Sequence, residues 1–375
     1  MPVFYGTSSQ DVEFATDNFD SLYGGQGDDI LASSIIGFDY WDGGEGNDAL
    51  QAIWDSSAWG NFYGGDGNDF IQGGNSVAVQ QEYGGSGDDL VMDDTAGLTT
   101  QSHYIDGGAG SDGLYGSNGS DTIFGGEGSD DGRSITVELH GAAASGLYGA
   151  AGNDVLFGGD GDDLLFGGDG DDMTYGGSGN DTSYGGNGND TMVGDDGADL
   201  LEGDAGDDWI YMGGGDGGNA YGGTGNDVII ATQGRVVENG DDGNDVMYGA
   251  KGNDYFYGGN GDDTMYGGDG VDVLLGGAGN DYFDGGTGVN YYFGGGGNNT
   301  FVSNDVPSVQ VIQDFNAATD TVQFNGSGFT SFADVLSHSF QNGAYFVVQV
   351  DGDTAVWLNG ATASTVTAAN FSIVS

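Results

Sequence analysis

Aspartates recur along this chain at a fixed interval, each closing a glycine-rich hexad and most followed two places later by an apolar residue. The cleanest stretch reads GGDGDDLLF at 158–166, GGDGDDMTY at 167–175, GGSGNDTSY at 176–184 and GGNGNDTMV at 185–193. Carboxylates and the carbonyls of flexible glycine turns are hard oxygen donors, which select Ca²⁺ over softer metals. Mg²⁺ demands a tight octahedron and keeps its waters, so carbonyl-rich turns suit it less well. The sixth residue of each repeat is the candidate ligand, and these residues fall into two series. One runs Asp154, Asp172, Asp190, Asp208, Asp227, Asp245, Asp263, Asp281; the other runs Asp163, Asp181, Asp199, breaks, and resumes at Asp254 and Asp272. Less regular copies upstream add Asp29, Asp48, Asp69, Asp89, Asp112, Asp121 and Asp130, and the series close on the neutral Asn290 and Asn299.

A short fixed period of this kind specifies a solenoid in which each repeat stacks only on its neighbours. Every repeat divides into a six-residue glycine turn and a three-residue strand, with the eighth position facing inward: Leu156, Leu165, Met192, Ile210, Ile229, Met247, Met265 and Leu274. Two repeats, one strand on each face, then make a coil of 18 residues, and turns one coil apart lie over one another with room for an ion between them. The fold class expected is all-β, a parallel β-roll (a β-helix-like solenoid) with a small C-terminal β cap. The core is a single thin seam, too slender to sustain the fold alone.

Three segments are expected. Residues 1–148 form an irregular part of the roll: good copies start at 24, 43, 64 and 84, roughly two turns apart, and the intervening turns carry Trp41, Trp54 and Trp59. Residues 149–302 form the regular roll. From 303 the pattern changes to alternating apolar and polar residues, VQVIQDFNAATDTVQFNG and AYFVVQVDGDTAVWLNG, with one short helix in SFADVLSHSF (331–340). Position nine points outward and is often aromatic, as in Phe157, Phe166, Tyr175 and Tyr184, so same-face pairs should stack on the exterior.

The formal charge is −57, with 60 acidic residues against Arg133, Arg235 and Lys251, and 82 glycines disfavour helices. Without counter-ions such a chain repels itself and stays largely unfolded. The three cations all sit beside defects in the series: Arg235 in the turn where Gly218 and Val236 replace the ligand, Lys251 in the next turn on that edge, and Arg133 at the interruption 134–148. They are therefore expected to substitute charge where no ion binds. Nucleic acid and anionic membrane surfaces would be repelled. No cysteine is present, no apolar run matches a membrane span, and the first residues lack the basic and apolar regions of a cleaved signal peptide.

Catalysis finds little support. His103, His140 and His338 form no HExxH pair, His103 and His140 are expected at the surface, no GxSxG elbow occurs, and the paired aspartates are explained as ligands. No enzyme is expected.

The phrase GGxGxDxUx resembles the repeats-in-toxin (RTX, hemolysin-type calcium-binding repeat) family. The resemblance implies a β-roll binding many Ca²⁺ ions between stacked turns through glycine-turn carbonyls and the sixth-position aspartates named above. VIQDFNAATDTVQF, SFADVL and ANFSIVS resemble the family's C-terminal region, which implies type I secretion of an unfolded chain. Together these features suggest a secreted calcium-binding structural protein that folds on export and assembles extracellularly as a surface layer, sheath or filament. The alternative is a calcium-dependent adhesin or host-interaction protein using the tryptophan turns. Expected partners are calcium, further copies of the chain, and surface polysaccharide or lipopolysaccharide, with no nucleic acid and no membrane insertion.

Overall fold

The computed structural model describes residues 3–15, 21–33, 38–52, 59–73, 81–92, 103–110, 112–116, 122–127, 146–215 and 217–374. It divides into two compact units, Met1–Leu200 and Leu201–Ser375. Among the described residues no helix is long and apolar enough to cross a membrane.

In the first unit, successive strands alternate between two parallel sheets. On one, Val155–Asp160 pairs with Met173–Ser178 in the register Leu156↔Thr174 and Phe157↔Tyr175. On the other, Leu164–Asp169 pairs with Thr182–Asn187, with Leu165↔Ser183 and Phe166↔Tyr184. The expected coil of 18 residues is thus observed. The strands are longer than the three residues anticipated: Leu164–Asp169 has six, because the ladder continues through the first glycines of the following turn. Its alternating burial places Leu165 and Gly167 inward and Leu164 and Phe166 outward.

One side chain per strand fills the interior. Leu22, Leu31, Trp41, Leu50, Phe62, Ile71, Val91, Ile105, Leu114, Ile123, Leu147, Leu156 and Leu165 form one apolar cluster. Beyond Leu165 the seam turns polar, where Thr174 and Ser183 hydrogen-bond hydroxyl to hydroxyl at 2.8 Å. Trp41, which the alternative adhesin reading placed on a binding surface, occupies this seam, fully buried and edge-on to Phe62 at 5.0 Å and 88°. The strand Phe38–Glu45 begins upstream of it and places Trp41 in register with Leu22, an inward position. Trp54 and the Trp59 side chain lie outside the described residues.

The outer faces carry the anticipated aromatic stacks. Tyr5, Tyr23, Tyr40, Tyr63, Tyr83, Tyr104, Phe124, Phe157 and Tyr175 follow one another on one sheet, with centroids 4.7–5.6 Å apart. Tyr115, Tyr148, Phe166 and Tyr184 do the same on the other.

The second unit repeats this arrangement. Tyr255–Asn260 pairs in parallel with Val273–Ala278, and Val246–Tyr248 with Thr264–Tyr266. Residues after 303 extend both sheets. Thr321–Asn325 continues one from Thr300–Ser303, and Thr354–Asn359 continues the other from Ser308–Ile312. Tyr345–Gln349 and Ser339–Asn342 then add antiparallel strands, and the expected helix is Phe332–Ser337, N-capped by Ser331.

Truncation of a buried side chain should be costly in so thin a core. Trp41→Ala is expected to remove about 3–5 kcal/mol of stability. Urea unfolding at saturating calcium measures this, and a loss under about 1 kcal/mol would contradict the interior placement of the indole.

Candidate metal centres at the stacked turns

Each turn reverses the chain through a left-handed second residue. This is usually glycine, as in Gly159 (φ 113°), and where it is not, Asp195, Asp204, Asp241 and Ala250 adopt φ of 67°, 69°, 69° and 62°. A Cβ on Gly159 would also meet the Gly126 carbonyl, so packing as well as conformation favours glycine. These turns bring the sixth-position aspartates into register, one above another.

The carboxylates form a directional ladder. The Asp154 N–H donates to Asp172 Oδ1 at 2.8 Å, and the Asp172 N–H donates to Asp190 Oδ1 at 2.7 Å. On the opposite edge, Asp163 donates to Asp181 at 2.8 Å and Asp181 to Asp199 at 3.0 Å. The second unit contains Asp208 to Asp227 and Asp227 to Asp245 at 2.8 Å, Asp245 to Asp263 at 3.0 Å and Asp263 to Asp281 at 3.1 Å. Its other edge holds Asp254 to Asp272 at 3.0 Å.

In the early coils the ladder runs Asp29, Asp48, Asp69, Asp89, Asp112, joined at 2.7–2.8 Å across spacings of 19, 21, 20 and 23 residues. The additional residues all fall in the opposite turns, where the sixth position varies: Asp39 is followed there by Gly60 and later by His103, which is buried, contrary to the surface position expected. Asp121, Asp130, Arg133 and His140 lie outside the described residues.

The second oxygen defines the site. For Asp29, Asp48, Asp69, Asp89, Asp172, Asp181, Asp199, Asp227, Asp245, Asp254, Asp263, Asp272 and Asp281, Oδ2 is buried and accepts no hydrogen bond. It faces the first glycine of its own turn and the next coil's carbonyl. A Cβ at Gly167 would lie 2.5 Å from Asp172 Oδ2 and 2.6 Å from the Gly185 oxygen. Among the described residues no three acidic or imidazole side chains converge, so a cation here must draw most of its donors from carbonyls, as calcium does.

Two turns act as internal controls. Where asparagine replaces aspartate, its Nδ2 donates to carbonyls of its own turn: Asn290 to Gly285 at 2.7 Å and Asn299 to Gly296 at 3.3 Å. A donor thus fills the place that, in the aspartate turns, leaves oxygen facing oxygen. The residues present therefore fit a hard cation.

The break in the second series is closed differently from the expectation. Arg235 and Lys251 are exposed. Instead the Thr232 hydroxyl donates to the Gly213 carbonyl, and Gln233 Nε2 donates to the Gly214 carbonyl at 2.9 Å. Neutral donors satisfy those carbonyls, and the ladder resumes with the Val236 N–H donating to Asp254 Oδ1 at 3.1 Å.

Two features escaped the sequence reading. Asp11 starts the early ladder, its N–H donating to Asp29 Oδ1 at 2.7 Å, while its own Oδ2 accepts from the Thr7 N–H at 2.6 Å. Asp320 extends the other end, accepting from the Asn299 N–H at 3.2 Å and the Asn316 N–H at 2.7 Å. The sixth place of GTSSQD (6–11) was a visible signal for Asp11. Position five also forms an exposed ladder of reversed sense, as where the Asn180 N–H donates to Asp162 Oδ1 at 2.7 Å and the Ala198 N–H to Asn180 Oδ1 at 3.0 Å. This accounts for the Asn/Asp preference there.

Burial, partly offset by the ladder hydrogen bonds, raises the carboxyls. Asp172, Asp227, Asp272 and Asp281 are pushed up to about 6, and Asp181, Asp245, Asp254 and Asp263 to about 7. Asp89 reaches about 9. Because these values lie above the unfolded value of 3.8, the folded metal-free state binds more protons than the unfolded one. Its stability is therefore greatest below about pH 4 and falls as pH rises through about 6–9. In chelator, circular dichroism should show β structure gained on acidification from about pH 8 to about 5, and the calcium needed for folding should rise as pH falls. A metal-free signal that weakens on acidification would contradict this.

Comparison with known proteins gives a consistent assignment. The family model for the RTX calcium-binding nonapeptide repeat matches residues 5–34, 60–76, 104–131, 148–182, 184–218, 219–237, 239–274 and 266–301. No curated protein matches. Among solved structures, the extracellular lipase LipA from Serratia marcescens is similar at 18% identity with a TM-score of 0.23, over 68% of this chain and 45% of the lipase. The chain thus spans less than half of that lipase's length. With more than half of its residues matched by the repeat model, the chain belongs to the RTX calcium-binding nonapeptide repeat family and binds multiple calcium ions.

Proposed function

We propose that this chain is a secreted structural protein, unfolded where calcium is scarce, folded by extracellular calcium, and assembled with further copies of itself into a surface layer, sheath or filament. The ligands in this reading are Asp29, Asp48, Asp69, Asp89, Asp112, Asp154, Asp163, Asp172, Asp181, Asp190, Asp199, Asp208, Asp227, Asp245, Asp254, Asp263, Asp272 and Asp281, with carbonyls of the adjoining glycine turns. The observation that carries it is the buried Oδ2 without a hydrogen-bond partner, recurring at Asp29, Asp48, Asp69, Asp89, Asp172, Asp181, Asp199, Asp227, Asp245, Asp254, Asp263, Asp272 and Asp281 and replaced by an amide donor at Asn290 and Asn299.

Calcium, when bound, supplies the positive charge these turns lack. The chain's own residues do the rest. Each sixth-position N–H fixes the carboxylate above it, the glycines hold carbonyls toward the same edge, and the inward residues exclude water from one side of the turn. Extracellular calcium modules work at about 10⁻⁴–10⁻³ M, which places the transition between cytosolic and external calcium. Proteins with this repeat are typically secreted.

Assembly is supported by the continuous outer aromatic stack from Tyr5 to Tyr175, a long and only partly shielded apolar stripe. The adhesin reading depended on exposed tryptophans, and Trp41 is buried.

The purified chain should give a coil spectrum in chelator and a β spectrum in millimolar calcium, followed by ordered arrays in negative stain. A chain already folded in chelator would overturn the calcium reading. A calcium-folded chain that stays monomeric and retains a surface glycan would overturn self-assembly in favour of adhesion.

A further inference from the structure

Glu238 is a carboxylate that the turn sites leave unused. It stands at an eighth position, where the second unit otherwise places apolar or aromatic side chains such as Ile229, Met247, Phe256 and Met265. Its side chain is fully buried, and neither Oε1 nor Oε2 has a hydrogen-bond partner. A buried carboxylate without a partner is costly by several kcal/mol, so a cation or a proton must accompany it.

Its position is specific. Glu238 belongs to the turn in which Val236 takes the ligand position, two residues away and also inward-facing. In the sheet it lies between the small Ala220 and Phe256. Eighth-position side chains reach the first residue of their own turn: a Cβ on Gly258 would lie 2.8 Å from Met265 Cε, and the Tyr292 hydroxyl accepts from the Gly285 N–H at 2.9 Å. Glutamate is about as long as methionine and reaches the same edge. The neighbour there is Asp254, whose charge acts on Glu238, whose Oδ1 is held by the Val236 N–H and whose Oδ2 is buried and unpartnered. In the first unit Glu82 is likewise fully buried at an eighth position, between Phe62 and Ile105.

We infer that Glu238 and Asp254 together hold a divalent cation of the calcium class at the break in the second ladder, with Glu238 supplying from the eighth position the carboxylate that Val236 lacks. This rests on the calcium reading of the regular turns and extends it to a turn without the motif. Thr232 and Gln233 close the edge toward the preceding coil, and Glu238 serves the edge toward the following one.

Native mass spectrometry of the full chain in calcium, with the calcium midpoint of folding followed by circular dichroism, tests the assignment. Glu238→Gln should lose one ion per chain and need more calcium to fold. Val236→Asp combined with Glu238→Gln should recover the ion by returning the carboxylate to the sixth position. An E238Q chain that keeps the wild-type ion count, or folds at equal or lower calcium, would show Glu238 to be a protonated core residue and overturn the inference. If E238Q does not fold, a double variant that folds with the wild-type count supports the site, and one that also fails to fold overturns it. A wild-type chain that binds no calcium would remove the underlying reading as well, so the two failures are distinguishable.

Discussion

The two oxygens of each sixth-position aspartate have opposite consequences. Oδ1 accepts the N–H of the coil before it and so contributes cohesion along the stack. In turns such as those of Asp172 and Asp263, Oδ2 is buried beside carbonyl oxygen without a hydrogen-bond donor and contributes only repulsion unless a proton or a cation reaches it. Two ionised carboxylates about 5 Å apart repel by roughly 3 kcal/mol at an effective dielectric of about 20. A seam of one side chain per strand gives about 1.5–3 kcal/mol per buried residue before the entropy of ordering nine residues is counted. The apolar seam therefore cannot offset the charge by itself, and folding depends on what occupies the turn edge.

The places where the ladder stops follow the same rule. In the first unit, Asp11 has its second oxygen taken by the Thr7 N–H; in the second, Asn290 and Asn299 supply their own donors, and Asp320 accepts two backbone N–H groups. At the interior break, Thr232 and Gln233 donate to carbonyls of the preceding turn. In each case a donor replaces the missing charge. Interior turns such as those of Asp172 and Asp263 supply no such donor to Oδ2, which places the electrostatic demand on stacked pairs of aspartate turns.

The roll, its coil length, the inward eighth position and the outer aromatic stacks were legible because a nine-residue period constrains backbone and side-chain direction together. The sixth-position ladder was legible for the same reason. What was missed lay where period and residue type part company. Trp41 read as part of an irregular turn open to either packing or a binding surface, yet the strand restores the register before reaching it. His103 read as exposed because it lies in an irregular turn, although it holds a sixth position, which faces inward whatever the residue. Arg235 read as a replacement for a cation because charge was the only sequence signal, whereas neutral side chains at positions two and three are nearer the carbonyls that need donors. The position-five ladder was invisible because its hydrogen bonds join residues in different coils, and no local pattern announces them.

The early coils separate the two edges of the roll into independent structures. Between Asp29 and Asp112 every added residue falls in the turns that precede the strands from Phe38–Glu45 to Tyr104–Ala109, while the opposite edge keeps an unbroken run of N–H to Oδ1 bonds. Parallel pairing survives on both sheets, as the registers Trp41↔Phe62 and Leu50↔Ile71 show. A coil therefore needs only one stacked edge to hold its register, since the strands on both faces are fixed by the seam once that edge is set. The free edge is then open to insertion and to substitutions such as His103, which would be excluded if both edges bound ions. Regular repeats with aspartate on both edges gain a second ladder at the cost of that freedom, so the density of aspartate along the chain records how strictly each edge must be spaced.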